Sequence, residues 1–419
     1  MMERDTDILI VGGGLVGASL ACALQPLGYQ VTLLEAVAPR AAAQPSYDDR
    51  TLALGAASCR ILAALGLWEA LAAEATPIRE VIVSEPGRPA RVELQAARMG
   101  LPCFGHVVEA RAFGAVVLAH LPTLPRLEVL CPFRAEALRH EDQSVVVEAR
   151  NDVGERCTVR ARLVVAADGA DSAIRDLLGI KAQTHDFQQT AIIANVTPEQ
   201  AHAGRAFERL TSSGPFALLP HQGQRCGLVW CVPNADAEQL LAMPEEEFLA
   251  RATERAGRAL GPLQKLGQRS SWALRQVVPA SDQAERVLLL GNAAHAIHPV
   301  GAQGFNLGLR DIATLAEVLA DQQRDGEAAD PGLAAALDRY SALRRPDQQA
   351  TIGWTRDMVG LFGSELALTR RARGLALGAI ALLPPLQRRL ASRAMGYRGH
   401  IPRLALGEPL LPDWSGYPS

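Results

Sequence analysis

The chain lacks an excess of charge of either sign: 42 basic and 45 acidic residues leave a formal net charge of −3. So weak a field argues against nucleic-acid binding by bulk electrostatics and favours a small-molecule partner. Paired-cysteine spacing is missing too. The seven cysteines are scattered, with no Cys-x-x-Cys, so neither a disulfide framework nor a zinc site is expected, and a reducing cytoplasm fits. Long apolar runs are absent. The longest near the C-terminus, Gly374 to Gln387, is broken by Pro384-Pro385 and falls short of the roughly 20 residues a spanning helix requires. The opening Met1 to Asp7 is acidic and runs straight into Ile8-Leu9-Ile10-Val11, so no secretory signal is read. What remains, 419 residues at 48% hydrophobic and 21% charged, suits a globular protein of two linked domains.

The first 35 residues read as strand, glycine turn, helix, strand: Ile8 to Val11 is a continuous apolar run, Leu15 to Leu27 has helical character, and Val31 to Leu34 is apolar again. A helix is expected from about Thr51 to Leu65 and another from Arg111 to His120, with short strands at Glu80–Ser84 and Arg91–Leu94 between them. Two further buried strands, Leu163–Ala167 and Val287–Leu290, end in Asp168-Gly169 and Gly291-Asn292, which predicts one parallel sheet assembled from distant segments. Between them, alternating segments at Gln189–Val196, Ala206–Leu210 and Gly227–Val232 predict an inserted antiparallel domain. After Gly304 the pattern is helical: Asn306 to Asp321, Leu333 to Arg344, then a helix with Pro346 in its first turn running to about Phe362.

Gly12-x-Gly14-x-x-Gly17 stands where the first strand hands over to the helix, and Glu35 ends the next strand. Gly12 permits the tight turn, Gly14 lets backbone approach a pyrophosphate, Gly17 allows close packing, and Glu35 would accept ribose hydroxyls. This predicts dinucleotide binding without separating NAD from FAD. A second motif, Asp168-Gly169, and a third, Gly291-Asn292 followed by His295, His298, Pro299, Gly301, Gly304, Phe305 and Asn306, resemble the class A flavoprotein monooxygenases. Pro45-Ser46-Tyr47-Asp48-Asp49-Arg50, Val107 to Arg111, Gly204 to Arg209 and Gly304 to Asp311 are similar to the ubiquinone-pathway ring hydroxylases, above all their 2-polyprenyl-6-methoxyphenol branch.

That resemblance implies an α/β fold like p-hydroxybenzoate hydroxylase: an FAD-binding Rossmann-like domain from 1–75, 101–185 and 281–345, a substrate domain from 76–100 and 186–280, and C-terminal helices over 346–419. It implies FAD as cofactor, NADPH or NADH as reductant, O2 as co-substrate, and oxygen transfer from a flavin C4a-hydroperoxide to a polyprenylated phenol. Asp168 and Gly169 would support the cofactor and the route of NADPH. Gly291 would touch ribityl and pyrophosphate, and Arg50 and Arg111 would lie near the ribityl chain or the ring. The helix-opening loop from Pro299 to Asn306 would offer N–H groups to the flavin pyrimidine edge. One departure stands out: the wider family's Gly-Asp is Gly291-Asn292 here, as in the methoxyphenol branch, and Asn keeps the hydrogen bonds without the charge.

Other residues have plainer readings. His295 and His298 sit three apart but no third ligand is at metal spacing, so no metal is expected, and His298 is the one candidate catalytic base. Glu208, with Arg205 and Arg209, could line the pocket but reads rather as the solvated face of an alternating strand, and Trp230, which could stack on a substrate ring, reads rather as core. Arginines 370, 371, 373, 388, 389 and 393 flank the last apolar stretch, which suits either peripheral contact with the inner face of the cytoplasmic membrane or a helix packed on the FAD domain with its arginines exposed, and the resemblance adds a ubiquinone-synthesis complex as a partner. The rival readings are a hydroxylase of an unprenylated aromatic and a non-catalytic flavin-binding subunit. A flavin halogenase lacks its Gly-Trp-x-Trp-x-Ile-Pro here, and a plain NAD dehydrogenase leaves the second and third motifs unexplained.

Overall fold

The computed structural model describes residues 2–38, 50–88, 91–324, 330–364 and 366–412. The apolar strands predicted from distant segments lie side by side. Met2–Val11 pairs in parallel with Val31–Leu34 on one side and with Arg156–Ala166 on the other, Ile8 facing Leu163, and Arg156–Ala166 pairs in parallel with Val287–Leu289. Leu127–Leu130 extends this sheet, and the hairpin Arg134–Glu141 and Ser144–Arg150 continues from Arg156–Ala166. Both faces are covered, which is why Ile8 to Val11 is apolar without alternation. Ile8 and Ile10 pack into a core shared with helices Leu15–Leu24 and Gln303–Arg324, while Leu9 and Val11 pack on the other side with Val145, Val147 and Val164.

The second large sheet runs Leu263–Leu266, Ala182–Pro198, Cys226–Pro233, Gly214–Pro220, Arg205–Thr211, Glu80–Ser84, Arg91–Gln95, with Ser270–Pro279 also on Ala182–Pro198. Its pairs are antiparallel except Arg205–Thr211 with Glu80–Ser84. One face carries Ile192, Phe207, Phe216, Leu228 and Trp230 against helices Asn234–Ala242 and Glu245–Ala256, making its own core. The other face looks toward the first domain: adding a Cβ at Gly227 would bring it within 2.0 Å of Thr51 Oγ1. Thr76–Pro77 pairs with Gly105–Glu109 in a separate three-stranded sheet.

Two helix expectations need correction. Thr51–Gly55 is a strand, antiparallel to Gly105–Glu109, and the helix begins only at Ala56. Cross-strand pairing over those five residues overrides their helical pattern. Pro346 does not open a helix; it lies inside a continuous one, Ala334–Gly363. A proline there deletes one helical hydrogen bond. Arg344 and Asp347, on either side of it and joined at 3.0 Å, are both fully buried in contacts to the helix Gln303–Arg324 that hold the segment straight through.

Candidate active site

At the end of the first strand Gly12 adopts φ +102°, and a Cβ there would lie 2.5 Å from the Ala167 carbonyl oxygen and 2.8 Å from Asp168 Cα. The first two motifs are therefore in backbone contact, and only glycine fits. Gly14 is the N-cap of Leu15–Leu24; no side chain caps it and the first turn has no acid. Its leading N–H groups and positive dipole end are thus open to an anion. A Cβ on Gly17 would sit 1.9 Å from the Gly12 oxygen, so the helix can leave the turn this closely only with glycine. Glu35 closes the cradle: Oε2 accepts from Gly13 N–H at 2.5 Å and Oε1 from Val37 N–H at 2.7 Å. Each oxygen keeps acceptor capacity for a hydroxyl.

Asp168 Oδ2 accepts from Ile174 N–H at 3.2 Å, while its Oδ1 is buried without a hydrogen-bond partner. Burial raises its pKa above the ordinary carboxylate value. Gly169 follows at φ +90°. The third motif meets the first through Val16, whose Cγ atoms would stand 3.0 Å from a Cβ on Gly291 (φ +61°) and 3.2 Å from one on Gly308. Asn292 projects outward, exposed.

The loop from Pro299 is held by side chains that use their bonds internally. Asn306 Oδ1 accepts from Gly55 N–H at 2.8 Å and Ser58 Oγ at 2.6 Å, and Nδ2 donates to the Ala53 and Ala302 carbonyls at 2.7 Å each. The bonds to Ala53 and Gly55 pin the loop to the strand Thr51–Gly55, that from Ser58 ties it to the helix that follows, and that to Ala302 closes the loop on itself. His298 is fully buried: Nδ1 accepts from Val300 N–H at 3.1 Å, so Nε2 carries the proton and faces Gln189 Oε1 at 3.2 Å. Burial lowers its pKa to about 4, leaving a neutral ring with both nitrogens engaged. His295 pairs with Asp311, which accepts from Arg344 at 2.7 Å. Phe305 packs edge-on against Phe113 at 5.3 Å. Gly301 has φ +67°, and a Cβ there would strike the Trp354 ring at 2.7 Å, whereas Gly304 has only Ile297 nearby, at 3.7 Å.

Across the cleft, the Arg50 guanidinium lies 4.6 Å from the Trp272 ring centroid on the second sheet. Arg111, 62% exposed, donates to Glu109 at 2.9 Å. Residues Pro45 to Asp49 of the quoted motif fall outside the described residues. Trp230 is core, 5.6 Å from both Phe216 and Phe248 and on the face turned away from the cleft. Glu208 corrects the sequence reading: it is no solvated strand face. Protein surrounds its carboxyl, Gly301 N–H donates to it, and burial pushes its pKa up to about 7. Nothing in the alternation of its strand distinguishes that face from an exposed one, because the cover comes from a loop some 90 residues later.

The cradle fits a flavin dinucleotide: an uncapped helix N-terminus and glycines no Cβ could replace suit the pyrophosphate, Glu35 suits the ribose, and the unpartnered Asp168 oxygen awaits a donor. Set against an antiparallel sheet across a cleft, it defines an FAD-dependent aromatic-ring monooxygenase. The chain belongs to the family described as FAD binding domain, which matches residues 5–355. It is 40% identical over 97% of its length to the ubiquinone hydroxylase UbiL of Rhodospirillum rubrum, covering 94% of that protein. It is 31% identical to the 3-demethoxyubiquinol 3-hydroxylase of Escherichia coli, over 94% of this chain and 100% of that one. The p-nitrophenol 4-monooxygenase PnpA of Pseudomonas putida shares the fold, with TM-score 0.77 at 20% identity over 95% of this chain and 99% of that one.

Proposed function

We propose that this chain hydroxylates the ring of a polyprenylated phenol in ubiquinone synthesis, with NADPH or NADH and O2 as co-substrates. The observation that carries this reading is the cleft wall opposite the cofactor cradle. Ala191, Ile193, Ala206, Leu210, Leu219 and Val229 share one sheet face, a surface suited to a prenyl tail. The names of the relatives support the same pathway. When bound, FAD supplies an electrophilic oxygen atom derived from O2 after reduction by the nicotinamide. The chain binds its phosphates at Gly12 to Gly17, its ribose at Glu35, and its ring edge at the backbone N–H groups between Pro299 and Asn306. Asp168, Gly169, Gly291 and Asn292 flank the phosphates and ribityl chain, and Arg50 and Arg111 approach from the substrate side. His298, neutral and doubly engaged, shapes the turn before Pro299 and leaves proton transfer to another group.

Delivery of such a substrate calls for contact with a membrane. Helices Ala367–Leu382 and Pro384–Ala394 present Leu375 at 76%, Leu382 at 80% and Leu383 at 50% exposure, beside exposed Arg371, Arg388 and Arg389. Not every flanking arginine contributes. Arg373 is buried on Glu85 at 2.8 Å and Arg393 stacks on Trp354 at 4.6 Å. Among the described residues no helix is long and apolar enough to cross a membrane, so this surface would lie on an anionic leaflet.

The first test is a mass-spectrometric profile of quinone intermediates in cells with and without the protein. Accumulation of a polyprenyl phenol lacking one oxygen, with a fall in ubiquinone, is expected. An unchanged ubiquinone pool with no intermediate, in cells without a second hydroxylase, refutes the substrate assignment.

A further inference from the structure

Glu208 occupies a singular place in the cleft. On the strand Arg205–Thr211 it stands opposite Ala217 on one neighbour and Val83 on the other. Strand alternation puts it on the same face as Ala206 and Leu210. Ala206 packs with Val107 and Ala53, next to the strand that Asn306 pins, and Leu210 packs with Val300. The carboxyl therefore lies between two apolar side chains and faces the loop at Gly301, whose N–H donates to it. The residue as a whole is only partly exposed.

Among the described residues no cation forms an ion pair with it. Arg50, the cation stacked on this sheet, sits over Trp272, four strands away, or roughly 19 Å at about 4.8 Å per strand. Of the other titratable groups facing this wall, burial pushes the Cys231 thiol up and the His298 imidazole down to about 4, so both are neutral at pH 7. Gly214–Pro220 contributes no titratable side chain, and the wall at Leu210 is closed by apolar Val300, Met358 and Phe362.

A carboxylate in an apolar wall costs stability unless it is paired or hydrogen-bonded, and among the described residues one backbone N–H is the only group that offsets it. We propose that Glu208 is the catalytic base that accepts the phenol proton of the substrate, an inference that rests on the hydroxylase reading above. The phenol O–H bond breaks and its proton passes to the Glu208 carboxylate. The electron pair stays on the phenolic oxygen and enriches the ring carbon that forms the new C–O bond with the oxygen supplied from O2. The ring C–H proton then passes to the oxygen atom left over from O2, which departs as water, and as aromaticity returns the phenolic oxygen recovers its proton from Glu208, which ends unchanged. Its environment suits this task. Against a phenol near pKa 10, a carboxyl near 7 faces an uphill transfer of about 3 units, where an ordinary glutamate faces about 5.5.

The test uses FAD-loaded wild type, Glu208→Gln and Glu208→Asp with 2-prenyl-6-methoxyphenol as probe. The glutamine keeps the acceptor for Gly301 N–H and the side-chain volume, so FAD content and thermal midpoint should match wild type. Three results are expected: the rising limb that the Glu208 carboxyl sets near pH 7 in the wild-type pH–rate profile is missing from E208Q; coupled product formation at pH 7.5 falls about 100-fold or more; and the rate of E208Q climbs back only as pH approaches the phenol's own pKa, about 10. E208D should regain part of the rate and of the limb near pH 7. An E208Q enzyme with the wild-type pH–rate profile and turnover overturns the assignment alone. A wild type that neither binds nor turns over the probe overturns the hydroxylase reading itself.

Discussion

Replacing Asp311 by Asn tests whether the buried ionic cluster behind the flavin loop holds the active site together. Asp311 is fully buried and accepts from Arg344 at 2.7 Å, from Gln348 at 3.1 Å and from His295, while Asp347 joins Arg344 to Arg310. Burial alone would raise the Asp311 pKa, but Arg344 and His295 hold it down at about 2. The shift from 3.8 is roughly 2 units, or about 2.5 kcal/mol of differential interaction. Because the folded value is depressed, this stabilisation is complete above about pH 4 and is lost as pH falls toward 2. Asn at 311 leaves Arg344 with Asp347 alone, and breaking a buried pair this way costs about 3–5 kcal/mol. At about 2.1 cal/mol/K per residue, 419 residues unfolding as one unit give roughly 0.9 kcal/mol/K, so Tm should fall by about 3–6 °C. Since His295 belongs to the segment that begins at Gly291, FAD retention should fall as well. Calorimetry of the holoenzyme, with flavin fluorescence for dissociation, reads both. The double variant D311L/R344M, which removes both charges and leaves Arg310 with Asp347, should recover part of the loss. A D311N protein melting within 1 °C of wild type (order of magnitude from the same entropy) with undiminished FAD would refute the argument.

Gly17→Ala should purify with little FAD, since its Cβ would sit 1.9 Å from the Gly12 oxygen; absorbance at the flavin band relative to protein measures it, and full occupancy would contradict the close-packing account. His298 has a folded-state value of about 4, below its ordinary 6.5, so between those values the unfolded chain binds a proton that the native state does not. Stability should be complete above about pH 6.5 and decline toward pH 4 by about 3 kcal/mol from this residue. Denaturant titrations of wild type and His298→Asn across that window should show a flatter pH dependence in the variant. Replacing Leu375, Leu382 and Leu383 together by Glu should abolish sedimentation with anionic liposomes while leaving turnover of a short-chain soluble phenol intact, and equal pelleting of both proteins would dismiss the membrane surface.

Much of the first domain was legible because its constraints are local. Gly12, Gly14 and Gly17 sit within six residues; Gly12 is demanded by its contact with Ala167 and Asp168, and Gly17 by its contact with Gly12. The parallel sheet was legible for the opposite reason: strands buried on both faces cannot alternate, so Ile8–Val11, Leu163–Ala166 and Val287–Leu289 announced themselves as uninterrupted apolar runs. The failures occurred where partners lie far away. Thr51–Gly55 looked helical because its strand partner begins at Gly105, and Pro346 looked like a helix start because the ion pairs that carry the helix past it come from Arg310 and Asp311.

The site divides along the same line. Glycines and Glu35 could be read from spacing, whereas Asn306 was placed among the cofactor contacts when its side chain spends all four hydrogen bonds on protein. Glu208 carried no local signal at all, since a carboxylate at alternate spacing in a strand has the same pattern whether water or a loop covers it. The deciding information lies in Gly301, which must be glycine both for its φ of +67° and because Trp354 crowds it, and whose N–H meets the carboxyl. Conformational need at one glycine thus places a donor against a distant acid. That coupling explains how a face made almost wholly of small and aliphatic side chains can bind an apolar tail and still hold one group able to move a proton.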